Sequence, residues 1–528
     1  MPVIHNPILR GFNPDPSILR VGDDYYIATS TFEFHPAVRL HHSRDLVHWT
    51  TIGHALDAGF DLRGIPDSGG VWAPSLSYAD GRFWLAYSVV RTMDGDDKDI
   101  DNYLVTAPSI HGPWSAPVHL GSRGFDFSFF HDPDGTHWIV GVQWDQRPEH
   151  PSFSGLVVEQ YLADGQRTTG DAIRVYREEG LVEGPNLYRV GEWYHLLIAA
   201  GGTGWNHGIT IARSRNLLGP YERDAREAVL TTRDDPGHPL QKAGHGELVQ
   251  APDGQWWLVH LASRPTLHLG ERYSTLGRET CLQRVVFDDD GWLRLADGGH
   301  HASVDVVIGG EGEDAASGPR GWTDDFSAGA LDRTRWSTLR AALPASTADL
   351  DARPGWLRLR GGHSAASVFD QSMILTRVEE HRASFDVLLD AEPRTPREAA
   401  GPIAWYDRSG WIQLQLTHDD ENGRHLRVVR RDGSTTTRSG PIAAPDGPLR
   451  LRLSLDGPGL RFAWARADSE EWMPVPGVHP AWTLSDDHGP RLRFTGLFFG
   501  VRADDLDGRG WTADIGRVAV RFDPDVDG

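Results

Sequence analysis

Three polar residues stand at the starting position of short β-like segments, and a fourth, Glu183, stands one residue before that position. The segments are DPSIL, DFSFF, EGPNLY and HGELV, and the residues are Asp15, Asp126, Glu183 and His245. Two carboxyl groups on opposite sides of a sugar ring are the minimum for hydrolysing a glycosidic bond, because one donates a proton and the other activates water. A third carboxylate nearby can raise the pKa of the proton donor by like-charge repulsion. The residue types therefore predict acid–base chemistry on a saccharide.

The same acids could instead have a purely structural role, by capping strand ends or pairing with arginine. Three of them share one register with a histidine, so they are expected to face one cavity. Gathering acids in a cavity costs free energy unless a function or a cation requires it. This argument favours a functional site over the structural alternative.

The elements that position these residues form a repeat in the first three hundred residues. A turn leads into an aromatic-rich alternating strand five times, with shared glycines at Gly22, Gly81, Gly135, Gly191 and Gly254. Such turns use the positive φ of glycine. Each unit has room for about four short strands, which is the size of one propeller blade. We therefore predict a five-bladed β-propeller whose innermost strands carry the polar residues, with a β-sandwich of similar hairpins as the alternative.

The second half of the chain has a different pattern. Residues 309–321 are small, polar and unpatterned, which is typical of a linker. Beyond them, segments such as LRLRLSLDG alternate polar and apolar residues with period two. The prediction is an all-β chain with a propeller over 1–308 and a lectin-like, jelly-roll β-sandwich over 322–528.

Charge and cysteine content narrow the functional classes. The chain has 528 residues, 52 lysines and arginines, 74 acidic residues and a net charge of −22. Such a protein is a poor partner for nucleic acid or an anionic membrane. The single cysteine cannot form an internal disulfide or a cysteine-rich metal site. With no signal-peptide pattern and no long apolar stretch, the expected location is the cytoplasm.

Long ordered motifs carry a resemblance to a known family. GFNPDPSILRVGDDYYIATSTFEF, GFDFSFFHDPDG, VEGPNLY, LGRETCLQRV and the tail segment RFTGLFFGVRADD resemble glycoside hydrolase family 43, especially its β-xylosidases with a C-terminal β-sandwich. The resemblance implies an inverting mechanism. In it, Asp15 is the general base, Glu183 is the general acid, and Asp126 tunes the pKa of the acid and orients it.

The resemblance also implies a set of substrate-binding residues. Arg278 matches an arginine that binds sugar hydroxyls at the non-reducing end, and Phe32 and Trp72 match aromatic residues of that subsite. Thr203 lies in a matching loop. Phe498 is expected to reach over the pocket from the sandwich and close it, which would make the enzyme exo-acting.

The same family allows a calcium ion on the propeller axis, near His245, and needs no other cofactor. One imidazole without a shell of carboxylates is a weak calcium site, since calcium takes six to eight oxygen ligands. A hydrogen-bonding cavity histidine is therefore the alternative. Members of the family with several domains often associate, so a homo-oligomer is compatible with the resemblance.

The expected activity is release of xylose from β-1,4-xylo-oligosaccharides, with catalytic carboxyl groups about 6.5–9.5 Å apart. An α-L-arabinofuranosidase on the same scaffold is one alternative, and a sugar-binding propeller without catalysis is another. The related fructan and sucrose hydrolases are excluded because their WMNDPNG-like, RDP and EC motifs are missing. Four departures from the family pattern flank the pocket and leave the substrate open: Asn13, Ser75, Phe127 and Asn186.

Overall fold

The regular structure of the protein is almost entirely β-strand. A computed structural model describes residues 2–57, 59–93, 95–226, 228–309, 320–491 and 493–523. Within these ranges the helical elements are two single-turn 3₁₀ helices, Ala163–Gly165 and Ala481–Thr483. In the described part of the chain, no helix has the length and apolar character needed to cross a membrane.

Five antiparallel sheets lie between Ser17 and Leu295, and each contains one of the five hairpins expected from the sequence. All five hairpin glycines have positive φ, between 61° and 88°. The strands, blade by blade, are Ser17–Val21, Asp24–Thr29, Ala37–Ser43 and Thr50–Leu56; Gly70–Ala79, Arg82–Val90, Ile100–Ala107 and Val118–Gly121; Ser128–His131, His137–Trp144, Phe153–Leu162, Arg167–Thr168 and Ile173–Tyr176; Val182–Val190, Trp193–Ala200, Gly208–Ser214, Glu222–Arg223 and Leu230–Thr231; and Gln241–Gln250, Trp256–Ser263, Glu279–Phe287 and Leu293–Leu295.

The first strand of each blade lies innermost, and neighbouring inner strands contact one another in a closed ring. The fifth blade meets the first directly, because the Glu247 carboxylate accepts a hydrogen bond from the backbone N–H of Ile18. Outside the blades, Val3–His5 pairs with Asp305–Val307, and Thr266–His268 forms a small hairpin with Glu271–Tyr273. The prediction of a five-bladed propeller is confirmed.

Two further sheets form a sandwich in the second half of the chain. One contains Arg320–Asp324, Ala348–Asp349, Leu357–Arg360, Arg382–Asp390, Leu449–Asp456, Gly459–Arg466, Met473–Pro474, His479–Pro480 and Thr512–Asp523. The other contains Ser372–Arg377, Glu398–Asp407, Gly410–Asp419, Gly423–Asp432, Thr435–Arg438, Ile442–Ala443 and Phe498–Asp505. The leucines of Leu449–Asp456 alternate inward, as its period-two pattern predicts, and join one apolar core between the sheets.

Part of the predicted linker, residues 310–319, lies outside the described residues. The last two linker positions, Arg320 and Gly321, belong to the strand Arg320–Asp324, which pairs with Thr512–Asp523. Regular sandwich structure therefore begins slightly earlier than the sequence pattern indicated.

The sandwich packs directly on the propeller. A short strand pair joins Phe34–His35 of the first half to Thr338–Leu339 of the second. Beside it, the Phe498 ring stacks on Phe34 with centroids 4.0 Å apart and meets Phe12 edge-on at 5.8 Å. These contacts place one face of a sandwich sheet against the open end of the inner strands.

Candidate active site

The backbone at the cavity end of the inner strands is left-handed in four blades. The φ angles are 52° at Asp15, 56° at Asp126, 53° at Gly184 and 43° at His245. Non-glycine residues seldom adopt such angles, which persist where surrounding structure holds them and which cluster at active sites. Register shifts occur near the cavity end of the inner strand in three blades, between Trp72 and Ser75, between Glu183 and Asn186, and between Gly244 and Gly246. Bulges of this kind redirect side chains.

The redirected side chains line one small pocket of about 60 Å³. Its lining residues are Asp15, Phe32, Trp72, Ala73, Phe125, Asp126, Glu183, Thr203, His245, Arg278 and Phe494. Eight of the nine site residues expected from the sequence are therefore brought together, from all five blades. The ninth, Phe498, lies elsewhere.

Asp15 is held by donors on both carboxylate oxygens. The Ser30 hydroxyl donates to Oδ2 at 2.7 Å, and Arg278 Nη1 donates to Oδ1 at 2.8 Å. His245 Nδ1 lies 3.9 Å from the same Oδ1. These donors stabilise a negative charge on a carboxyl group that is almost fully buried. Asp15 is thus placed to accept a proton.

Glu183 has the opposite character. Burial first, and the charge of Asp15 second, raise the pKa of Glu183 to about 7, although Arg278 acts against this rise. A carboxyl group with such a pKa keeps its proton near neutral pH. The pocket therefore sets Asp15, which accepts hydrogen bonds from Arg278 and Ser30, beside Glu183, whose raised pKa suits it to donate a proton, and acid–base catalysis requires one group of each kind.

Asp126 is tied to the backbone next to Glu183. Its Oδ2 accepts a hydrogen bond from the N–H of Gly184 at 3.0 Å. Burial raises the pKa of Asp126 to about 7, and the charges of Glu183 and Asp15 add to the rise, while His245 lowers it. Asp126 and Glu183 titrate as an interacting pair. Asp126 is therefore placed both to orient Glu183 and to influence its charge.

Arg278 connects the acid site to the sandwich. Besides Asp15, its Nη1 donates to Thr203 Oγ1 at 3.1 Å, and its Nη2 donates to the carbonyl oxygen of Phe494 at 2.9 Å. Its guanidinium carbon also lies 5.4 Å from the ring centroid of Phe32. A buried arginine with this many partners is held rigidly against the pocket.

Four aromatic rings form the walls of the pocket. Trp72 meets Phe125 and Phe494 edge-on, with centroids 5.5 and 5.6 Å apart, and Phe32 lies 6.0 Å from Phe494. Sequence reasoning found Phe32 and Trp72 but missed the other two. Phe125 directly precedes Asp126 in GFDFS, and Phe494 lies in the tail motif RFTGLFFGVRADD. Both residues therefore lie within the motifs that carry the family resemblance.

The prediction that Phe498 closes the pocket is wrong. Phe498 is fully buried in the aromatic cluster with Phe12 and Phe34 and packs the domain interface. The ring that reaches the pocket from the sandwich belongs to Phe494, four residues earlier. Its N–H donates to the Ser68 hydroxyl at 3.1 Å, which fixes it above the open end of the propeller.

A second, smaller cavity of about 20 Å³ lies next to the pocket and shares Ala73, Asp126 and His245 with it. Three of the residues that depart from the family pattern line it: Ser75, Phe127 and Asn186. Asn13, the fourth, is buried and its Oδ1 accepts a hydrogen bond from Arg39 at 3.1 Å. The departures therefore change the surroundings of the acids and leave the acids themselves in place.

The residues around His245 do not fit a calcium shell. The carboxyl group in that cavity besides Asp126 is Glu247, and burial raises the pKa of Glu247 to about 8. A protonated carboxyl group is a poor calcium ligand. Among the described residues, the one cluster of three or more acid, histidine or cysteine ligands is Asp234, His300 and His301. An axial calcium ion stays a prediction, and no catalytic step is derived through it.

A propeller whose pocket sets a carboxyl group held by an arginine beside a second carboxyl group of raised pKa, with aromatic rings as walls, has the equipment of a glycoside hydrolase. Comparison with known proteins agrees. Residues 4–293 match the model of glycosyl hydrolases family 43, and residues 323–521 match the beta xylosidase C-terminal concanavalin A-like domain. The chain belongs to glycosyl hydrolases family 43 and is a glycosidase.

Several relatives are similar over nearly their whole length. Xylosidase/arabinosidase 43B of Humicola insolens is 40% identical, with 96% of each chain covered. Xylan 1,3-beta-xylosidase of a Vibrio species is 38% identical, over 97% of this chain and 98% of the relative. The crystal structure of xylan beta-1,4-xylosidase from Bacillus halodurans C-125 superposes with a TM-score of 0.93, at 40% identity, covering 98% of this chain and 99% of that one.

Proposed function

We propose that the protein is an inverting, exo-acting β-xylosidase that releases xylose from the non-reducing end of β-1,4-xylo-oligosaccharides. The observation that carries the proposal is the contrast between Asp15, whose charge is stabilised by Arg278 and Ser30, and Glu183, whose raised pKa keeps it protonated. The chemistry of hydrolysis needs one group of each kind. The relatives named above supply the choice of sugar.

In the proposed mechanism, a water molecule loses a proton to Asp15 and attacks the anomeric carbon. Glu183 donates its proton to the leaving oxygen as the glycosidic bond breaks. Asp126 orients Glu183 through the N–H of Gly184, and the charges of the two carboxyl groups interact. Because water attacks directly from the face opposite the leaving group, the product has the inverted anomeric configuration.

The shape of the site supports exo action. The pocket is small and has a wall contributed by Phe494, so it suits the end of a saccharide better than the middle of a long chain. Arg278 and Thr203 offer donors for sugar hydroxyls, and the aromatic rings supply apolar walls for a sugar ring. We therefore expect single sugars as products.

An α-L-arabinofuranosidase activity is the second candidate. It is favoured by the 40% identical relative named as a xylosidase/arabinosidase. The linkage is a separate question, because one relative is named for β-1,3 bonds and the superposed structure for β-1,4 bonds. The acids serve either sugar and either linkage, so the walls of the pocket decide.

Initial rates on chromogenic β-D-xylopyranoside and α-L-arabinofuranoside test the proposal, with wild type and Asp15→Ala measured together. We expect a preference for the xyloside and a loss of at least about 10²-fold in kcat for the variant. A preference for the arabinofuranoside would replace the substrate and keep the mechanism. Inactivity on both sugars would contradict the proposal and favour a sugar-binding role.

The stereochemistry has its own test. Proton NMR during early hydrolysis of a β-xyloside distinguishes the two anomers of the released xylose. We expect the α anomer to appear first and the β anomer to grow in later by mutarotation. Initial release of the β anomer would show retention and overturn the assignment of Asp15 as a base.

We also propose a cytoplasmic location and a homo-oligomeric assembly. The proposed location is compatible with the single cysteine, Cys281, which is buried and cannot form an internal disulfide. Cell fractionation and analytical ultracentrifugation test the two points separately.

A further inference from the structure

A groove larger than the active-site pocket lies on the outer face of a sandwich sheet. Its volume is about 310 Å³, which is within the range of clefts that hold small ligands. The strands Gly410–Asp419, Gly423–Asp432, Thr435–Arg438 and Phe498–Asp505 contribute its floor. Side chains alternate along a strand, so residues two apart face the same side. Cross-strand pairing sets Trp411 opposite Arg431 in this floor.

The groove concentrates positive charge in a strongly acidic protein. Six arginines line it, against one acidic residue, Asp504: Arg397, Arg408, Arg427, Arg431, Arg438 and Arg502. The chain as a whole has a net charge of −22. The balance of charge in the groove is therefore opposite to that of the protein.

Half of these arginines are already neutralised. Arg502 pairs with Asp504, Arg397 with Asp507 at 2.8 Å, and Arg408 with Asp67 at 3.0 Å. For Arg427, Arg431 and Arg438, the described part of the chain supplies no carboxylate within ion-pair distance. Arg431 has a neutral partner, because its Nη1 donates to Thr436 Oγ1 at 2.9 Å. Three positive charges in one groove thus lack a counter-charge from the described residues.

Buried polar atoms in the groove also lack partners. Trp411 is 7% exposed, and its indole Nε1–H has no hydrogen-bond acceptor among the described residues. The Nε atoms of Arg427 and Arg502 are also buried and have no hydrogen-bond partner among the described residues. Burial, together with the charge of Arg438, lowers the pKa of Arg427. Unpaired buried donors cost free energy, and a bound acceptor would recover it.

We propose that this groove binds an acidic oligosaccharide, a short chain of neutral sugars that carries a uronic acid carboxylate. The planar guanidinium groups of Arg427 and Arg438 match a carboxylate, which they can bind with paired hydrogen bonds. Trp411 and Gln415 supply donors and acceptors for sugar hydroxyls. The choice of sugar rests on the proposed function, whereas the anionic character follows from the arginines.

The position of the groove fits a role in holding substrate. Arg408 on its rim pairs with Asp67 of the propeller. The next residue, Ser68, accepts a hydrogen bond from Trp72 Nε1 through its carbonyl oxygen and another from the Phe494 N–H through its hydroxyl. The rim of the groove is therefore linked to two walls of the active-site pocket by a short chain of contacts.

Titration calorimetry tests the proposal in an Asp15→Ala background, in which the proposed hydrolysis is removed. The probes are xylotetraose with one glucuronic acid substituent, unsubstituted xylotetraose and inorganic phosphate. We expect the acidic probe to bind at least tenfold more tightly than either of the others. Added salt should weaken its binding.

Variants then locate the binding. Arg427→Ala combined with Arg438→Ala should reduce the affinity for the acidic probe at least tenfold, to that of the neutral probe. Arg438→Glu, at an exposed position, should act in the same direction without disturbing the buried floor. Arg461→Ala is the matched control, because it removes an exposed arginine from the other sheet. Equal binding of acidic and neutral probes, equally tight binding of phosphate, or unchanged binding in both groove variants would each overturn the proposal.

The two proposals fail in different ways. If the proposed hydrolytic activity is wrong, wild type and groove variants will all be inactive on the chromogenic xyloside. If the groove proposal is wrong, the groove variants will bind the acidic probe as wild type does, whatever the rates are. The groove variants should keep the wild-type kcat and KM on the chromogenic xyloside.

Discussion

Asp126 has two tasks that single substitutions can separate. Its carboxyl group accepts a hydrogen bond from Gly184, which positions the preceding residue, Glu183. Its charge also interacts with that of Glu183 inside the protein, where electrostatic effects are stronger than in water. An asparagine keeps an acceptor oxygen at the same place but removes the charge, whereas an alanine removes both.

We expect the kcat/KM of wild type to fall as the pH rises above about 7, because Glu183 then loses the proton that it must donate. Asp126→Asn removes the like-charge repulsion between residue 126 and Glu183, so the pKa of Glu183 should fall. The decline of kcat/KM with rising pH should then begin at a lower pH. In Asp126→Ala, kcat/KM should drop by about 10²–10⁴-fold. Profiles of rate against pH check this, and an unmoved decline in Asp126→Asn would contradict the electrostatic role.

At the scale of elements, the segment that carries Phe494 is fixed by backbone contacts to the propeller. The N–H of Leu497 donates to the Thr275 carbonyl at 2.9 Å, and Gly277 has a φ of 77°. A Cβ at Gly277 would lie 2.3 Å from the Thr495 carbonyl oxygen, so only glycine permits this approach. The segment is therefore part of the rigid wall of the pocket.

Phe494→Ala should raise KM for the chromogenic xyloside about tenfold, equivalent to ~1.4 kcal/mol, because one wall of the pocket is lost. The free energy of unfolding of this variant should differ little from that of wild type, since Phe494 is only partly buried. Phe498→Ala is the contrasting variant, with an expected loss of about 3–5 kcal/mol of stability and a wild-type KM in the folded fraction. Steady-state kinetics and denaturant unfolding of both variants check this, and the reverse pattern would restore Phe498 as the pocket residue.

At the scale of the whole molecule, Glu247 helps to close the propeller ring by joining the fifth blade to the first at Ile18. Burial raises its pKa from an ordinary value of 4.5 to about 8. A carboxyl group whose pKa is higher in the folded state stabilises the folded protein when it is protonated. This stabilising contribution is fully present at pH values below the ordinary pKa. That contribution is lost as the pH rises through about 8.

Wild type should therefore lose more stability than Glu247→Gln between about pH 6 and pH 9. Glutamine keeps an acceptor for the Ile18 N–H but cannot ionise. Glu247→Ala should be less stable than either at every pH, by about 1–3 kcal/mol, because a buried N–H loses its partner. Unfolding midpoints across this pH range measure the effect, and parallel curves for wild type and Glu247→Gln would refute it.

Features that depend on local geometry could be predicted from the sequence. The hairpin glycines require positive φ whatever surrounds them, so five equivalent turns indicated five blades. Alignment of the inner strands then placed Asp15 and Asp126 at one position and Glu183 one residue before it, and the closed ring of inner strands brings all three to a single pocket. The alternating leucines of Leu449–Asp456 likewise predicted a sandwich strand.

Tertiary structure alone decided the rest. Phe494 and Phe498 lie in one aromatic motif, and only the packing of the sandwich on the propeller determines which ring faces the pocket. The proton on Glu183 depends on burial and on the charge of Asp15, a residue distant in sequence. The arginine groove arises because cross-strand pairing gathers separate strands into one face. The sequence by itself determined the elements and the acids they carry, because these follow from contacts between near neighbours, whereas the pocket walls, the protonation states and the groove arise from long-range packing.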